Sequence, residues 1–136
     1  MNSVPDTDGM AGTGGLPGGR ETGLWFKDNT LPGAQILAIG PTIANLIQFY
    51  GYRKTHMLSI SANPLQRNPS YDPIVNPDNY LRNGDVHYIV WDAYSAGRSK
   101  FFSDKLMNFV HRYNGRPVHS EVINGREMII VYEVRP

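Results

Sequence analysis

Two sets of apolar residues recur with the spacing i, i+3, i+4, i+7, or a close variant, and each set therefore lies on one face of an amphipathic helix. The first set, in "PTIANLIQFYG" (41–51), consists of Ile43, Leu46, Ile47 and Tyr50. The second set consists of Phe102, Leu106, Phe109, Val110 and Tyr113. Pro41 suits the first turn of a helix, and Gly51 suits a left-handed residue at its end. The pattern predicts two helices, each with one buried face.

Short apolar runs predict strands between and after these helices. The runs are "AQILAIG" (34–40), "HMLSIS" (56–61), "VHYIVWDAY" (86–94), "PVHSEVI" (117–123) and "EMIIVYEV" (127–134). The first two flank the helix at 41–51, which gives a βαβ crossover. The last two flank Asn124-Gly125, the preferred two-residue turn of an antiparallel hairpin.

A short helix over Arg20 to Asn29 precedes the first strand, with Leu24 and Trp25 as its apolar contacts. Residues 63–85 hold four of the ten prolines, and a loop this long in a compact domain is usually functional or mobile.

Together these elements predict an α/β fold, a three-layer sandwich whose mostly parallel five-stranded sheet ends in an antiparallel C-terminal hairpin. A chain of 136 residues fits one such domain. We expect that domain over residues 20–136, after a flexible glycine-rich lead-in over residues 1–19.

Composition narrows the range of functions. The net charge of +1 argues against a nucleic-acid partner, which needs a concentrated basic surface. With no cysteine, the chain has no disulfide, thiolate metal site or cysteine nucleophile. The four histidines lie far apart in sequence, so no metal site is expected. No run approaches the roughly 18 apolar residues that span a bilayer.

The glycine-rich stretch "GMAGTGGLPGGRETGLWF" (9–26) raises two alternatives, a phosphate-binding loop and a flexible tether. "GTGGLPG" (12–18) matches a dinucleotide fingerprint by letter, but no strand precedes it, and the chain contains no Gly-Lys pair for a Walker loop. These departures favour a tether that leads into "LWF" (24–26), where order is expected to begin.

The turn "GPTIAN" (40–45) is better placed for a ligand, because it follows the first strand. If the strand order is 2-1-3, this turn faces "DAYSAGR" (92–98) across the crevice where α/β sheets bind ligands. An anion could lie at the helix N-terminus there. The alternative is that these residues only cap helices and fill turns. The candidate ligand-binding residues are Thr42, Asn45, Asp92, Tyr94, Ser95 and Arg98.

The order of segments resembles the extracytoplasmic C-terminal domain of certain prokaryotic membrane glycosyltransferases. These are similar to the dolichyl-phosphate-mannose protein mannosyltransferases and to the aminoarabinose transferases that modify lipid A. The resemblance lies in a tryptophan-bearing helix with Trp25, the turn "NTLPGA" (29–34) and the strand "QILAIG" (35–40), followed by "YIVWD" (88–92) and the terminal "VYEVRP" (131–136). It spans nearly the whole chain from Gly9 and includes no catalytic motif.

The resemblance implies a soluble accessory domain of an enzyme that transfers a sugar from a polyprenyl-phosphate donor. The family's essential acidic residues lie in an early loop outside this chain, so no catalytic residue and no cofactor are expected here. The implied partners are the membrane domain of the same polypeptide and a polyprenyl-phosphate sugar or a glycan or protein acceptor. The implied location is the extracytoplasmic membrane face, tethered by preceding transmembrane helices absent from this sequence.

A second hypothesis needs no membrane domain. The βαβ unit and the turn at Gly40–Asn45 also fit a free-standing domain of flavodoxin-like architecture that binds a nucleotide or another small ligand.

Overall fold

The computed structural model describes residues 16–58 and 76–134. The helices in these residues are α1 (Gly19–Asn29), α2 (Pro41–Gly51), α3 (Pro77–Arg82), α4 (Ala93–Arg98) and α5 (Lys100–Arg112). The strands are β1 (Gln35–Ala38), β2 (Lys54–Met57), β3 (Tyr88–Asp92), β4 (Arg116–Ile123) and β5 (Arg126–Glu133). Within the described ranges, no helix has both the length and the apolar character that crossing a membrane requires.

The strands form one open, mixed sheet in the order β2-β1-β3-β5-β4. Strand β1 pairs in parallel with β2 and β3, whereas β5 pairs antiparallel with β3 and with β4. The fold is therefore α/β, as predicted, but the prediction of a mostly parallel sheet was wrong. The C-terminal hairpin supplies two of the five strands, and β5 runs against β3 when it joins the sheet.

Helices cover both faces of this sheet. Successive residues of β1 point to opposite faces, so they pack against different helices. Ile36 and Ala38 pack in a cluster with α1 and α2, whereas Leu37 and Ile39 pack in a second cluster with α3 and α5. Both predicted helices place their apolar stripe in these clusters. The stripe residues that are buried are Ile43, Leu46 and Ile47 in α2 and Leu106, Phe109 and Val110 in α5.

The hairpin between β4 and β5 has the predicted turn. Asn124 and Gly125 both have positive φ, at 53° and 79°, as the two-residue type I′ turn requires. Strand β4 lies at the edge of the sheet, where Pro117 and two register shifts interrupt its ladder. Both features are typical of edge strands that avoid pairing with other chains.

Helix α1 runs alongside α2 at a distance that only glycine permits. A Cβ atom at Gly51 would lie 2.6 Å from the carbonyl oxygen of Gly23, and one at Gly23 would lie 2.8 Å from the carbonyl oxygen of Leu46. Gly51 is the last residue of α2, and the residue after it, Tyr52, is the left-handed C-cap, with φ of 55°. The expectation of a left-handed Gly51 was wrong, because the glycine serves the helix contact instead.

Arg53 joins the C-terminal ends of these two helices. Its side chain is buried, and Nη1 donates to Gly51 O at 2.9 Å. Nη2 donates to Thr30 O at 2.8 Å and to Lys27 O at 3.2 Å, and Nε donates to Thr30 Oγ1 at 2.9 Å. The last carbonyls of a helix lack partners within it and carry its negative dipole end, so the guanidinium satisfies both helix ends at once.

The residues just before α1 extend the packed region further than predicted. Leu16 and Gly18 are buried, although the sequence assigned them to the lead-in. The rest of that segment, residues 1–15, lies outside the described residues. Phe26 is fully buried, whereas Leu24 and Trp25 are half-buried, and Trp25 stacks on His119 of β4 with ring centroids 4.9 Å apart.

The proline-rich segment contains a helix that the sequence did not indicate. Residues 63–75 of that segment lie outside the described ranges, and α3 follows at Pro77. Asp78 attaches α3 to the end of α5, since its carboxylate accepts hydrogen bonds from the Tyr113 hydroxyl and, at 2.9 Å, from Arg112 Nη1. Arg82 forms an ion pair with the same carboxylate from within α3.

We predict that Gly51→Ala destabilises the domain by about 1–3 kcal/mol, the usual range for inserting a group into a packed site. The new methyl group would separate α1 from α2, which outweighs the better helix propensity of alanine. Gly97→Ala in α4 is the control, because its Cβ would meet no atom within 4 Å. Urea unfolding of both variants tests this. Equal stabilities would contradict the close helix contact.

We also predict that Asp78→Asn destabilises the domain at neutral pH and has little effect in acid. The hydrogen bond from the Tyr113 hydroxyl and, to a smaller extent, the one from the Arg112 guanidinium lower the pKa of the Asp78 carboxyl. Its folded-state pKa therefore lies below its unfolded-state pKa, and the stabilisation is lost as the pH falls below about 4. Unfolding curves at pH 7 and pH 3 measure the effect. Asp85→Asn, which changes an exposed carboxyl, is the control. The difference in stability between this variant and wild type should be the same at pH 7 and at pH 3.

Candidate ligand-binding crevice

A cavity lies where the carboxyl ends of β1 and β3 meet. From β1 the chain turns through α2 to reach β2 on one side, whereas β3 lies on the other side, so the strand order reverses here. Such a switch point is where open α/β sheets bind ligands. The cavity has a volume of about 250 Å³. We call it the switch-point crevice, and its lining residues are Ile39, Gly40, Ser95, Arg98, Ser99 and Phe102.

Two helix caps build one wall of the crevice. Asp92 ends β3 and caps α4, since its Oδ2 accepts a hydrogen bond of 2.8 Å from the backbone N–H of Ser95 in the first turn of α4. Ser99 follows α4 and caps α5, since its Oγ accepts a hydrogen bond of 3.2 Å from the N–H of Phe102 in the first turn of α5. The predicted strand over 86–94 was therefore too long, because the cap at Asp92 turns Ala93 and Tyr94 into a helix.

The opposite wall is the start of α2. Gly40 is the N-cap in an extended conformation and offers no side chain to the helix N-terminus. Pro41 has no N–H, and the first backbone bond into the cap runs from Ala44 N to Gly40 O at 3.4 Å. The N–H groups of Thr42 and Ile43 have no acceptor within the helix. The positive end of the α2 dipole therefore borders the crevice.

The Asp92 carboxyl lies directly behind the α4 wall in an unusual environment. Asp92 is 0% exposed, and its Oδ1 has no hydrogen-bond partner among the described residues. Burial raises the pKa of this carboxyl, and the hydrogen bonds from the backbone N–H and hydroxyl of Ser95 oppose that rise. A buried polar atom without a partner typically costs about 1–3 kcal/mol. A carboxyl with a perturbed pKa beside a cleft is a candidate functional group.

Arg98 brings a positive charge to the rim of the crevice. Its Nη1 donates to the Tyr94 hydroxyl at 2.9 Å, and its guanidinium lies 5.5 Å from the centroid of the same ring. Both side chains are exposed, so they can contact a ligand that enters from solvent.

The structure brings three of the six predicted residues together at the cavity. Ser95 and Arg98 line the crevice, and Asp92 lies behind Ser95. The other three, Thr42, Asn45 and Tyr94, are not among its lining residues. Thr42 is half-buried in the first turn of α2, whereas Asn45 and Tyr94 are exposed.

Sequence reasoning missed three lining residues, which are Ile39, Ser99 and Phe102. A signal for Ser99 was present, since a serine just before an apolar helical pattern is a typical N-cap. Phe102 was assigned to the buried stripe of its helix, and nothing in the pattern distinguishes a residue that also borders a cavity.

A second cavity, of about 580 Å³, lies at the other end of the central strands, where β1 and β3 begin and β5 ends. It is lined by Leu31, Gly33, Ala34, His87, Tyr88, Glu133 and Val134. Two of its polar groups already have partners. Glu133 accepts from Arg116 at 2.5 Å, and His87 Nδ1 accepts from the N–H of Gln35 at 3.2 Å. Across residues 16–58 and 76–134, no three acidic or histidine side chains converge as metal ligands. The switch-point crevice is therefore the stronger candidate site.

We predict that Asp92→Asn does not destabilise the domain at neutral pH, whereas Asp92→Ala does. Asparagine retains the cap on Ser95, whose loss in the alanine variant costs about 0.5–2 kcal/mol.

Because burial raises the folded-state pKa of Asp92, protonation favours the folded state. Wild type should therefore lose stability relative to Asp92→Asn as the pH rises above about 4, the ordinary range of an aspartate. Denaturant unfolding between pH 3 and pH 8 measures both effects, and an asparagine variant as unstable as the alanine variant would contradict them.

Comparisons with known proteins return no matching family model, no matching curated protein and no matching solved structure.

Proposed function

We propose that this chain is an accessory domain of a membrane-bound glycosyltransferase that takes its sugar from a polyprenyl-phosphate donor. In this role the domain lies on the extracytoplasmic membrane face and positions donor or acceptor for the membrane domain of the same polypeptide. The chain itself supplies binding and orientation. The acidic residues that the resemblance makes essential for transfer belong to the membrane part.

The observation that carries this proposal is the order of the segments that resemble the family. "GLWF" (23–26) lies in α1, "NTLPGA" (29–34) forms the turn that follows it, and "YIVWD" (88–92) coincides with β3. These segments hold structural positions within the domain. Phe26 and Trp25 anchor α1 in an aromatic cluster with Tyr88, with centroid distances of 5.2 to 6.3 Å.

The switch-point crevice supports a positioning role. It offers hydrogen-bond donors and acceptors from two helix N-termini and from Ser95, and Arg98 stands at its rim. A binding role of this kind requires complementary groups but no nucleophile or general base.

A free-standing domain that binds a small ligand is the second candidate. The observation that favours it is the strand order β2-β1-β3, which creates the crevice without any contribution from another domain. The two candidates differ in their dependence on a membrane partner. A gene that encodes membrane helices ahead of residue 1 would favour the accessory domain.

We predict that removing this domain from a full-length parent transferase lowers the rate of sugar transfer at least tenfold, which corresponds to about 1.4 kcal/mol of lost transition-state stabilisation. The assay uses reconstituted vesicles and equal amounts of inserted enzyme. A parent carrying Gly97→Ala, at an open position in α4, is the control for changes within the domain. Unchanged transfer by the deletion variant would contradict the proposed function.

A further inference from the structure

We infer that Asn124, at the tip of the hairpin between β4 and β5, is a site of spontaneous deamidation, and that its isoaspartate product loosens this hairpin. The chain holds three Asn-Gly pairs, which are Asn83-Gly84, Asn114-Gly115 and Asn124-Gly125. The fold selects the last of them for the reaction. The inference goes beyond the proposed function and does not depend on it.

The reaction needs only the chain and water. The backbone nitrogen of the glycine attacks Cγ of the preceding asparagine, and a new C–N bond closes a five-membered imide ring. The proton of the attacking nitrogen leaves with the side-chain nitrogen as ammonia. Water then opens the ring at one of its two carbonyl carbons, which gives aspartate or isoaspartate. Glycine favours the attack because it has no Cβ to crowd its nitrogen.

The fold restrains two of the three attacking nitrogens. The N–H of Gly115 donates to Val110 O at 2.7 Å, and a Cβ on this glycine would lie 2.8 Å from a Val110 methyl group. The N–H of Gly84 donates to Leu81 O at 3.2 Å, in the turn after α3. Both glycine residues are half-buried. Each nitrogen must therefore lose a hydrogen bond before it can reach the asparagine side chain.

Gly125 has neither restraint. It is exposed, and a Cβ on it would meet no atom within 4 Å. Within residues 16–58 and 76–134, its N–H has no backbone acceptor. Such an outward N–H is typical of the second residue in a two-residue hairpin turn.

The turn must open before the ring can close. Asn124 has a φ of 53°, and a residue in the left-handed region directs the following nitrogen away from its own side chain. Opening a hairpin tip is a local event that breaks few contacts, because Asn124 and Gly125 are both exposed. The reaction therefore proceeds from a folded domain whose hairpin tip is briefly open.

The two products differ in their effect on the hairpin. Asp-Gly also favours this turn type, so aspartate at position 124 preserves the pairing of β4 with β5. In isoaspartate the main chain runs through the side chain, which inserts one additional backbone carbon into the turn. The adjoining pair of Ile123 with Arg126 then loses its geometry. Isoaspartate therefore destabilises the hairpin, whereas aspartate does not.

The experiment incubates the wild-type chain under native conditions and follows each site by peptide mass spectrometry that separates aspartate from isoaspartate. We expect Asn124 to react at least about fivefold faster than Asn83 or Asn114. A factor of five corresponds to about 1 kcal/mol, the typical contribution of one hydrogen bond. The rate should be higher at pH 8 than at pH 6, because the attacking nitrogen must lose its proton.

Incubation in concentrated urea is the control for the effect of the fold. The three sites should then react at similar rates, because each asparagine precedes a glycine and the restraints on Gly84 and Gly115 are lost. Asn124→Asp is the matched variant for one of the two products. Its urea midpoint should equal that of wild type, whereas the purified isoaspartate form should unfold at a lower urea concentration.

Equal rates at Asn124 and at either other site in the folded chain would overturn the inference. So would the absence of product at Asn124 over a time in which this residue reacts in urea. An isoaspartate form as stable as wild type would overturn the inferred effect on the hairpin.

Discussion

Arg53 holds the C-terminal ends of α1 and α2 together, and the arrangement of one face of the sheet depends on this contact. Its guanidinium donates to carbonyl oxygens of both helices over distances of 2.8 to 3.4 Å. A buried arginine is tolerable here because two negative dipole ends and several acceptors surround it. Next to this contact, Gly23 and Gly51 let the two helix backbones approach closely, since a Cβ at Gly51 would lie 2.6 Å from Gly23 O. The helix pair then covers Ile36, Ala38 and Val90 of the sheet.

The opposite end of α2 lies at the carboxyl end of the sheet. Its N-cap, Gly40, follows the end of β1, the parallel neighbour of β3, and β3 ends at the buried carboxyl of Asp92. Arg53 and Asp92 have opposite effects on the stability of the fold. Arg53 has its hydrogen bonds satisfied and stabilises the fold, whereas the free Oδ1 of Asp92 opposes folding. Natural proteins retain such unfavourable groups chiefly at functional sites.

Local patterns predicted the elements whose signals are local. The stripes of α2 and α5 and the Asn124-Gly125 turn were correct because helix periodicity and turn conformation depend on residues close in sequence. The helices α3 and α4 were missed, since each has six residues and depends on distant or capping contacts such as that between Asp78 and Arg112, 34 positions apart. The direction of β5 relative to β3, which made the sheet mixed, is likewise a long-range property.

The same distinction applies to the candidate site. Ser95 and Arg98 could be assigned to a crevice from the strand order 2-1-3, but the unpartnered Oδ1 of Asp92 is a property of three-dimensional packing that no sequence pattern reports. The most direct test is therefore the titration of the Asp92 carboxyl, followed through its ¹³C chemical shift in the folded chain. We expect a pKa above the ordinary value of about 3.9, because burial destabilises the charged form. A pKa at or below that value would mean that the carboxylate is solvated or paired, and it would contradict the burial of an Asp92 carboxyl with one unpartnered oxygen behind Ser95.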